Sequence, residues 1–463
     1  MIFKQFYLES LGHASYLVGD ESTGQALIFD PRRDVDIYYE EARRHGLRIS
    51  MGLDSHGHND YLSGLSELAA RQDVTLMGLA GSGLGYEHRE LRDGEVLELG
   101  DVGFEVLHTP GHTPEHLGLL IYDRKAGNEP AILLSGGSLL VGDLARPDLL
   151  GGEDAAREAA RVFCHTLQQK LLTLPDHVEV FPTHVKGSLC GGNIGSRLST
   201  TIGFERRTNA VLVRVTESEG FVKECLRLDN LPAVPPYWRR MRSQNLSGVP
   251  LVERLAEPMA LNPAEFMARA DAGAVILDTR PAEAFAGGHI PRALNVGLGS
   301  SFPTWVGTVL PEDATVILVL DRPEDLWEAG WELLRIGYAP PAGWLAGGMM
   351  AWRTSGRDID FLPTISVHQL QQRLANGDLP VLDVRQPSEW AAGHISGARF
   401  ITGAELPRRL GDVPDGEIAV VCGSGYRSSV ASSLLRREGH QVINVAGGMT
   451  AWQNAGYSTT DED

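Results

Sequence analysis

Short apolar runs separated by glycine-containing turns fill the N-terminal half of the chain. The runs at 14–18 and 26–29 predict paired strands, and residues 34–45 predict a helix with Asp34 as its N-cap. Further strand-like segments follow at 74–77, 104–108, 117–122 and 131–134. This alternation of strands and helices predicts an α/β sandwich over residues 1–245.

A proline-containing segment with little apolar periodicity follows this region. Its prolines are Pro232, Pro235, Pro236, Pro250 and Pro258. Frequent prolines without periodicity are typical of a connection between domains. The sequence therefore predicts a connection from about residue 230 to residue 258.

An internal repeat follows the connection. The segment 275–290 recurs at 381–395, and each copy ends in the sequence Ala-Gly-Gly-Met-x-Ala-Trp. Strand-like and helix-like segments alternate in both copies, which predicts parallel sheets covered by helices on both faces. The repeat therefore predicts two α/β domains, at residues 259–358 and 364–461.

The second copy contains a cysteine loop, from Cys422 to Arg427, between a predicted strand at 418–421 and a predicted helix at 429–437. A cysteine at this position faces backbone N–H groups and the positive end of the helix dipole, and both favour the thiolate over the thiol. An inert buried cysteine is the alternative, but it would need neither the glycines nor the arginine of this loop. We therefore predict that Cys422 and Arg427 are catalytic. The predicted substrate-binding residues of the loop are Gly423, Ser424, Gly425 and Tyr426.

The first copy of the repeat lacks this loop. Its strand at 316–320 aligns with the strand at 418–421 and places Asp321 opposite Cys422. Residues 321–325 contain neither cysteine nor glycine. We therefore expect no sulfur chemistry from the first copy, and a structural role in packing or at an interface.

Histidines follow strand-like segments at three places in the first domain. Two lie in the loop Ser-His-Gly-His-Asn-Asp, one in Thr-Pro-Gly-His-Thr and one after Phe-Pro-Thr. Loops that follow strands can converge at one sheet edge, and neutral imidazoles presented there bind metals. We predict that His56, His58 and His112 hold one metal ion with an open fourth position. Asp60 and His184 would support these ligands by hydrogen bonds or serve as alternative ligands.

Composition limits the class of partner and the compartment. The chain of 463 residues has room for about three domains. Its net charge of −19 argues against nucleic-acid and anionic-membrane partners. The four cysteines form no Cys-x-x-Cys pair, which is typical of reduced cytosolic thiols. With no signal-peptide pattern and no membrane-spanning apolar run, we expect a cytoplasmic protein, and homo-oligomerisation stays open.

The repeat resembles the rhodanese-type sulfurtransferases. The resemblance lies in the Leu-Asp-Val-Arg strand, the Gly-His-Ile turn, the cysteine loop and the Ala-Gly-Gly-Met terminus, and it covers nearly all of 259–460. In that family the loop cysteine accepts a sulfane sulfur as a persulfide, so the resemblance assigns this role to Cys422. The six residues from Cys422 to Arg427 match the loop length of sulfur transfer rather than that of the related phosphatases. The resemblance implies small-molecule sulfur donors such as thiosulfate, and thiol acceptors of the glutathione class.

The first domain resembles the metallo-β-lactamase fold, and within it the glyoxalase-like branch that contains the persulfide dioxygenases. The supporting segments are 109–114, 141–149 and 183–191. The resemblance implies an αββα sandwich, a mononuclear Fe²⁺ ion and the oxidation of glutathione persulfide to sulfite. Several persulfide dioxygenases carry rhodanese domains, so the whole chain resembles a persulfide dioxygenase–rhodanese fusion.

Two positions depart from that family. The last histidine of the family motif His-x-His-x-Asp-His is Tyr61 here, and the aspartate of its Thr-Gly-Asp motif is Gly137. Glycine cannot ligate iron, so the cofactor stays open between Fe²⁺, Zn²⁺ and no metal. Three hypotheses follow: a dioxygenase fused to a sulfurtransferase, a sulfurtransferase with a non-catalytic scaffold or binding module, and a single-zinc thioester hydrolase beside a sulfurtransferase.

Overall fold

The computed structural model describes residues 1–227, 231–252, 255–377 and 379–461. The chain divides into two compact units. The first comprises Met1–Pro232 and Trp238–Arg254, and the second comprises Ala233–Tyr237 and Leu255–Asp463. Within the described ranges, no helix is both long enough and apolar enough to cross a membrane.

Two six-stranded sheets pack face to face in the described part of the first unit. The first sheet contains, in spatial order, β1 (Ile2–Leu8), β2 (His13–Asp20), β3 (Gln25–Phe29), β4 (Arg48–Leu53), β5 (Thr75–Leu79) and β6 (Arg89–Leu91). The second contains β7 (Val96–Leu99), β8 (Val102–His108), β9 (Leu117–Asp123), β10 (Ile132–Gly136), β11 (Glu179–Pro182) and β12 (Thr200–Thr201), also in spatial order. Apolar side chains from both sheets, including Phe29, Phe104 and Leu134, form the core between them.

Helices cover the outer faces of both sheets. Helices α1 (Asp36–Arg44) and α2 (Leu65–Arg71) pack on the first sheet. The second sheet is covered by α3 (Glu153–Thr166), α4 (Ile202–Thr208) and α5 (Ser218–Cys225). The layers run helix, sheet, sheet, helix, so the predicted αββα sandwich is confirmed.

Helix α1 occupies the segment predicted to be helical, but the prediction of its N-cap is wrong. The N-cap position is Val35, which makes no side-chain capping hydrogen bond. The Asp34 carboxylate instead pairs with Arg32 at 3.0 Å. Asp36, in the first turn, supplies the negative charge that complements the helix dipole.

The proline-containing segment includes a helix that the sequence did not reveal. Helix α6 (Trp238–Ser247) belongs to the first unit. The Asn245 side chain donates hydrogen bonds to the carbonyls of His58 and Tyr61, and accepts one from the Ser63 N–H. Helix α6 therefore fixes the backbone of the His-x-His loop.

Two five-stranded sheets, one for each copy of the repeat, form the described part of the second unit. The first contains β13 (Met259–Leu261), β14 (Val275–Asp278), β15 (Leu294–Asn295), β16 (Val316–Val319) and β17 (Gly343–Leu345), in the spatial order β13-β17-β16-β14-β15. The second contains β18 (Thr364–Ile365), β19 (Val381–Asp383), β20 (Arg399–Phe400), β21 (Glu417–Val421) and β22 (Gln441–Val445), in the order β18-β22-β21-β19-β20. The pairings are parallel in both sheets, so the predicted pair of parallel α/β domains is confirmed.

Helices flank both of these sheets. The first copy contains α7 (Pro263–Asp271), α8 (Ala282–Ala286), α9 (Phe302–Val309), α10 (Asp325–Arg335) and α11 (Gly348–Thr354). The second contains α12 (Val367–Ala375), α13 (Pro387–Ala391), α14 (Tyr426–Arg437) and α15 (Gly448–Asn454). Helix α14 begins before the predicted start at residue 429, so the helix N-terminus lies directly against the cysteine loop.

Candidate functional site

The cysteine loop connects strand β21 to helix α14. The Gly425 N–H donates a hydrogen bond to Cys422 Sγ at 3.2 Å, and the Ser428 Oγ lies 3.4 Å from the same sulfur. Gly425 has a φ of +107°, a left-handed conformation that favours glycine. The buried sulfur is thus held at the N-terminus of α14, where the helix dipole favours a negative charge.

The end of the second copy packs closely against this loop. The N–H groups of Met449 and Thr450 donate to the carbonyls of Cys422 and Gly423, at 2.7 and 2.9 Å. A Cβ atom at Gly448 would lie 2.2 Å from the Cys422 carbonyl oxygen. The glycine in the Ala-Gly-Gly-Met sequence therefore permits a close approach between two backbones.

Arg427 and Glu389 form an ion pair at the rim of the loop. The Nη1 and Nη2 groups of Arg427 donate to the two carboxylate oxygens at 2.6 and 2.7 Å. Burial alone would raise the pKa of Glu389, but hydrogen bonds from Arg427 and the Gln386 N–H more than offset this and lower the pKa. Glu389 is therefore ionised at neutral pH and compensates the positive charge of Arg427.

The remaining predicted loop residues have different environments. Ser424 is exposed, whereas the Tyr426 hydroxyl donates to the Gly297 carbonyl of the first copy at 3.0 Å. The aligned loop of the first copy pairs Arg322 with Asp325 at 2.8 Å. That loop offers carboxylates and no thiol, as the sequence indicates.

Histidine side chains from three loops converge within the described part of the first unit. His56 follows β4, His112 lies between β8 and β9, and His184 follows β11. One ring nitrogen of each lies within 4.8 Å of the others, and the Nε2 atoms of His56 and His184 are 3.5 Å apart. The structure thus brings together His56 and His112, which are two of the predicted ligands, and His184, which is the predicted supporting residue or alternative ligand.

Hydrogen bonds determine which ring nitrogens of this cluster carry protons. The His112 Nδ1–H donates to the Arg146 carbonyl at 2.8 Å, and His112 Nε2 has no hydrogen-bond partner among the described residues. Because the Ser55 Oγ donates its proton to Asp30, it accepts one from His56 Nδ1, at 2.8 Å. The Nε2 atoms of His56 and His112 therefore present lone pairs to the centre of the cluster.

Burial keeps most of the cluster neutral. Desolvation and neighbouring histidines lower the pKa of His112 to about 4, and that of His56 to well below its ordinary value. Burial alone would also lower the pKa of His184, but Cys190 and Asp60 raise it well above its ordinary value. Metals bind neutral imidazole, so a bound ion would take the place of a proton on His184.

The spacing between two of the three nitrogens matches that of two ligands on a single metal ion. Two nitrogen ligands of a tetrahedral ion, with bonds of about 2.0–2.1 Å, lie about 3.4 Å apart. The 3.5 Å separation between His56 and His184 agrees with this value. The Asp60 Oδ2 lies 3.4 Å from His184 Nδ1, where the carboxylate can orient the ring. The arrangement suits a three-histidine centre with an open fourth position.

His58, the third ligand predicted from the sequence, belongs to a neighbouring group of side chains. Its Nε2–H donates to Asp30 Oδ1 at 3.0 Å. His58 also lies in a group with Asp60 and His184 whose spacing could accommodate a metal ion. The choice between His58 and His184 as the third ligand therefore stays a prediction.

Comparison with known proteins identifies the second unit. The family model of the rhodanese-like domain matches residues 262–355 and 366–455. A putative sulfur carrier protein, YrkF of Bacillus subtilis, is 33% identical over 101 residues, which cover 21% of this chain and 55% of that protein. Both copies of the repeat are thus rhodanese-like domains.

The first unit also has known relatives. The crystal structure of a metallo-β-lactamase from Staphylococcus aureus matches 75% of this chain, which is more than the first unit alone, and 99% of its own, with a TM-score of 0.65 and 28% identity. The mitochondrial persulfide dioxygenase ETHE1 of Bos taurus is 25% identical over 178 residues, 37% of this chain and 63% of that protein. The chain is a metallo-β-lactamase-fold domain joined to two rhodanese-like domains. It spans less than two thirds of the length of the bovine relative.

In the metallo-β-lactamase-like domain, Gly137 faces the three histidine rings. A Cβ atom there would lie 2.7 Å from the His112 ring and 3.2 Å from the rings of His56 and His184. A carboxylate side chain at this position would therefore require the rings to move. Tyr61, the other departure from the family motif, directs its hydroxyl to a backbone carbonyl at 3.3 Å.

Two residues of these sites were not singled out from the sequence. Asp30 follows β3 with a φ of +53°, and its carboxylate accepts hydrogen bonds from Ser55 and His58. A polar residue directly after an apolar strand is the signal that marks it. Glu389, in the second rhodanese-like domain, aligns with Ala284 of the first. This difference between the two copies is the sequence signal by which Glu389 could be found.

Proposed function

We propose that the chain transfers sulfur through a persulfide of Cys422. The observation that carries the proposal is the hydrogen bond from the Gly425 N–H to Cys422 Sγ at the start of α14. An N–H group and a helix N-terminus stabilise both the attacking thiolate and the persulfide anion that replaces it. The rhodanese-like match supports a role in sulfur metabolism, and the donors and acceptors named below are part of the proposal.

The reaction consists of two displacements at sulfur. The Cys422 thiolate first attacks the outer sulfur of the donor, and a bond forms between the two sulfur atoms. The sulfur–sulfur bond of the donor breaks, and its electron pair leaves with the remainder, which is sulfite when the donor is thiosulfate. A thiolate of the glutathione class then attacks the outer sulfur of the persulfide, and the Cys422 thiolate leaves.

Replacement of the thiol tests this proposal. Cys422→Ser should abolish sulfur transfer from thiosulfate and from glutathione persulfide, because a hydroxyl group forms no persulfide. Mass spectrometry of the donor-treated wild type should find one additional sulfur atom on the peptide that contains Cys422. Cys225→Ser, in the other unit, is the matched control and should retain transfer. Transfer at the wild-type rate by Cys422→Ser would reject the proposal.

We infer in addition that His56, His112 and His184 hold one divalent metal ion. The lone pairs that converge in the cluster support this inference. When bound, the ion would act as a Lewis acid toward a group in the fourth position. Asp60 orients His184, and Asp30 orients His56 through the Ser55 hydroxyl.

The identity of the ion separates the remaining hypotheses. A nitrogen-only donor set with an open position is typical of Zn²⁺, whereas non-haem iron oxygenases use two histidines and a carboxylate. The similarity to a persulfide dioxygenase favours Fe²⁺. Iron with oxygen uptake on glutathione persulfide would support a dioxygenase, and zinc with thioester cleavage would support a hydrolase. The absence of both metals would support a scaffold or binding module.

Elemental analysis of the purified chain tests the metal centre. We expect about one iron or zinc per wild-type chain, and His112→Ala should reduce metal affinity by at least about tenfold because one of three ligands is lost. His165→Ala, an exposed position on α3, is the control and should retain the metal. Equal metal content in both variants would place the ion elsewhere.

A further inference from the structure

The Glu389 carboxylate faces the cysteine loop from helix α13. Its Oε2 accepts hydrogen bonds from Arg427 Nη1 and from the Gln386 N–H, at 2.6 and 3.0 Å, and its Oε1 accepts from Arg427 Nη2 at 2.7 Å. A Cβ atom at Gly423 would lie 3.5 Å from Oε1. The negative charge is therefore fixed beside the loop backbone, next to the position where an anionic donor must bind.

The two arginines that act electrostatically on Glu389 are both compensated. Arg427 binds both oxygens of Glu389 itself. Arg385 donates to the Asp383 carboxylate and to the Gly393 carbonyl, and it is almost completely buried. Arg427 also interacts with Cys422. The charges of Asp383, Arg385, Glu389 and Arg427 sum to zero, so net attraction of a further anion depends mainly on the backbone N–H groups and the α14 dipole.

Comparison of the two copies shows that the fold does not require the Arg427–Glu389 ion pair. Each copy contains a buried pair at the end of a strand, as Asp278–Arg280 and Asp383–Arg385. The first copy has Ala284 at the position of Glu389 and Leu326 at the position of Arg427. The Arg427–Glu389 pair thus occurs in the copy that carries the thiol, whereas the buried pair occurs in both.

We propose that Glu389 selects the sulfur donor by charge, favouring the protonated persulfide of a small thiol over dianionic thiosulfate. This inference rests on the Cys422 chemistry proposed above. Attack on thiosulfate brings three negative charges into the loop, two from the donor and one from the thiolate. Attack on a protonated persulfide group brings one negative charge to the reacting sulfurs, that of the thiolate. Arg427, whose charge is already balanced by Glu389, stabilises the three negative charges poorly. The fixed Glu389 carboxylate repels them.

The favoured step balances in atoms and charge. The Cys422 thiolate forms a bond to the outer sulfur of the persulfide, and the bond between the two donor sulfurs breaks. The electron pair leaves with the inner sulfur as a thiolate, and the proton stays on the transferred sulfur. The negative charge moves from Cys422 to the departing thiol.

The test measures kcat/KM for thiosulfate and for glutathione persulfide in the full chain. Glu389→Gln removes the charge and keeps an oxygen that accepts hydrogen bonds from Arg427. We expect it to raise the ratio of thiosulfate to persulfide kcat/KM by about tenfold, and the increase should shrink at high salt. A ratio between two donors on one preparation is insensitive to partial loss of folded protein. Glu417→Gln, which removes an ion pair with Arg373 at the other end of β21, should leave the ratio unchanged.

The outcomes distinguish this inference from the chemistry on which it rests. An unchanged ratio in Glu389→Gln would overturn the charge-selection role, even if Cys422→Ser is inactive as proposed. An equal loss with both donors in Glu389→Gln and Glu389→Ala would also overturn it, since Glu389 would then only hold Arg427 in place. Full transfer by Cys422→Ser would instead reject the proposed function itself.

Discussion

At the scale of single residues, the close contact between Gly448 and Cys422 holds the C-terminal segment of the second copy against the cysteine loop. Gly448 has a φ of +54°, and a Cβ atom there would lie 2.2 Å from the Cys422 carbonyl oxygen. Any side chain would therefore push against the backbone that positions the thiol. The conformation alone costs an L-residue about 1–2 kcal/mol.

We predict that Gly448→Ala lowers the free energy of unfolding by more than this conformational cost and slows sulfur transfer. Gly456→Ala is the matched control, because Gly456 has a φ of +77° and nothing within 4 Å of the added Cβ. Urea unfolding and donor turnover of both variants check the prediction. Equal losses in the two variants would show that the close approach has no effect beyond backbone strain.

Local pattern explains which residues could be found from the sequence. Cys422 stands out because its glycines, arginine, strand and helix are adjacent in the chain. The grouping of His184 with His56 depends on a contact between residues 128 positions apart, and the Glu389–Arg427 pair spans 38 positions. Such partners follow from the packing of loops, which the order of residues does not specify.

At the scale of elements, helix α14 connects the cysteine loop to the first rhodanese-like domain. The Ser429 Oγ donates to Asn295 Oδ1 at 3.1 Å, and the Asn295 N–H donates to Ser433 Oγ at 2.9 Å. The Asn295 Nδ2 donates to the carbonyls of Asp278 and Arg280. One buried asparagine of the first rhodanese-like domain thus holds helix α14 of the second through its serines.

We predict that Asn295→Ala destabilises the second unit by about 1–3 kcal/mol, because it leaves the buried Ser429 hydroxyl and the Arg280 carbonyl without their partner and removes one of two donors from the Asp278 carbonyl. It should also change the rate at which iodoacetamide alkylates Cys422, since the helix behind the thiol loses its anchor. Chemical unfolding and alkylation kinetics provide the measurements.

Asn262→Ala is the control for this prediction. Asn262 caps α7 in the same copy, and loss of the cap costs about 1 kcal/mol. Its side chain bonds within its own helix terminus, so alkylation of Cys422 should stay at the wild-type rate. Identical alkylation in both asparagine variants would mean that the first copy does not position α14.

Element patterns predicted most of the architecture, with informative exceptions. The repeat revealed both parallel sheets because strand, turn and helix recur in the same order. The sequence pattern did not predict helix α6, because prolines lie on both sides of it. Its role comes from a tertiary contact with the His-x-His loop, which the pattern does not show. The prediction of Asp34 as the N-cap of α1 is wrong because the Asp34 carboxylate pairs with Arg32 instead.

At the scale of the whole molecule, the two rhodanese-like domains share a fold and differ in the loop that follows one strand. Both keep the strand order and the buried aspartate–arginine pair, which are the features that maintain the fold. The second keeps the thiol, the glycines and the arginine of the loop. The sequence predicted this difference, because residues 321–325 contain neither cysteine nor glycine.

The replacement of the loop thiol by Asp321 in the first copy has a kinetic consequence. Under the proposed function, Cys422 carries the thiol of the two aligned loops, so donor and acceptor react in turn at the same sulfur. The first product departs before the second substrate reacts, which is a ping-pong sequence with parallel double-reciprocal plots. Cys422 then alternates between a persulfide form and a free thiol form. The turnover rate is limited by the slower of the two half-reactions, the one with the donor or the one with the acceptor.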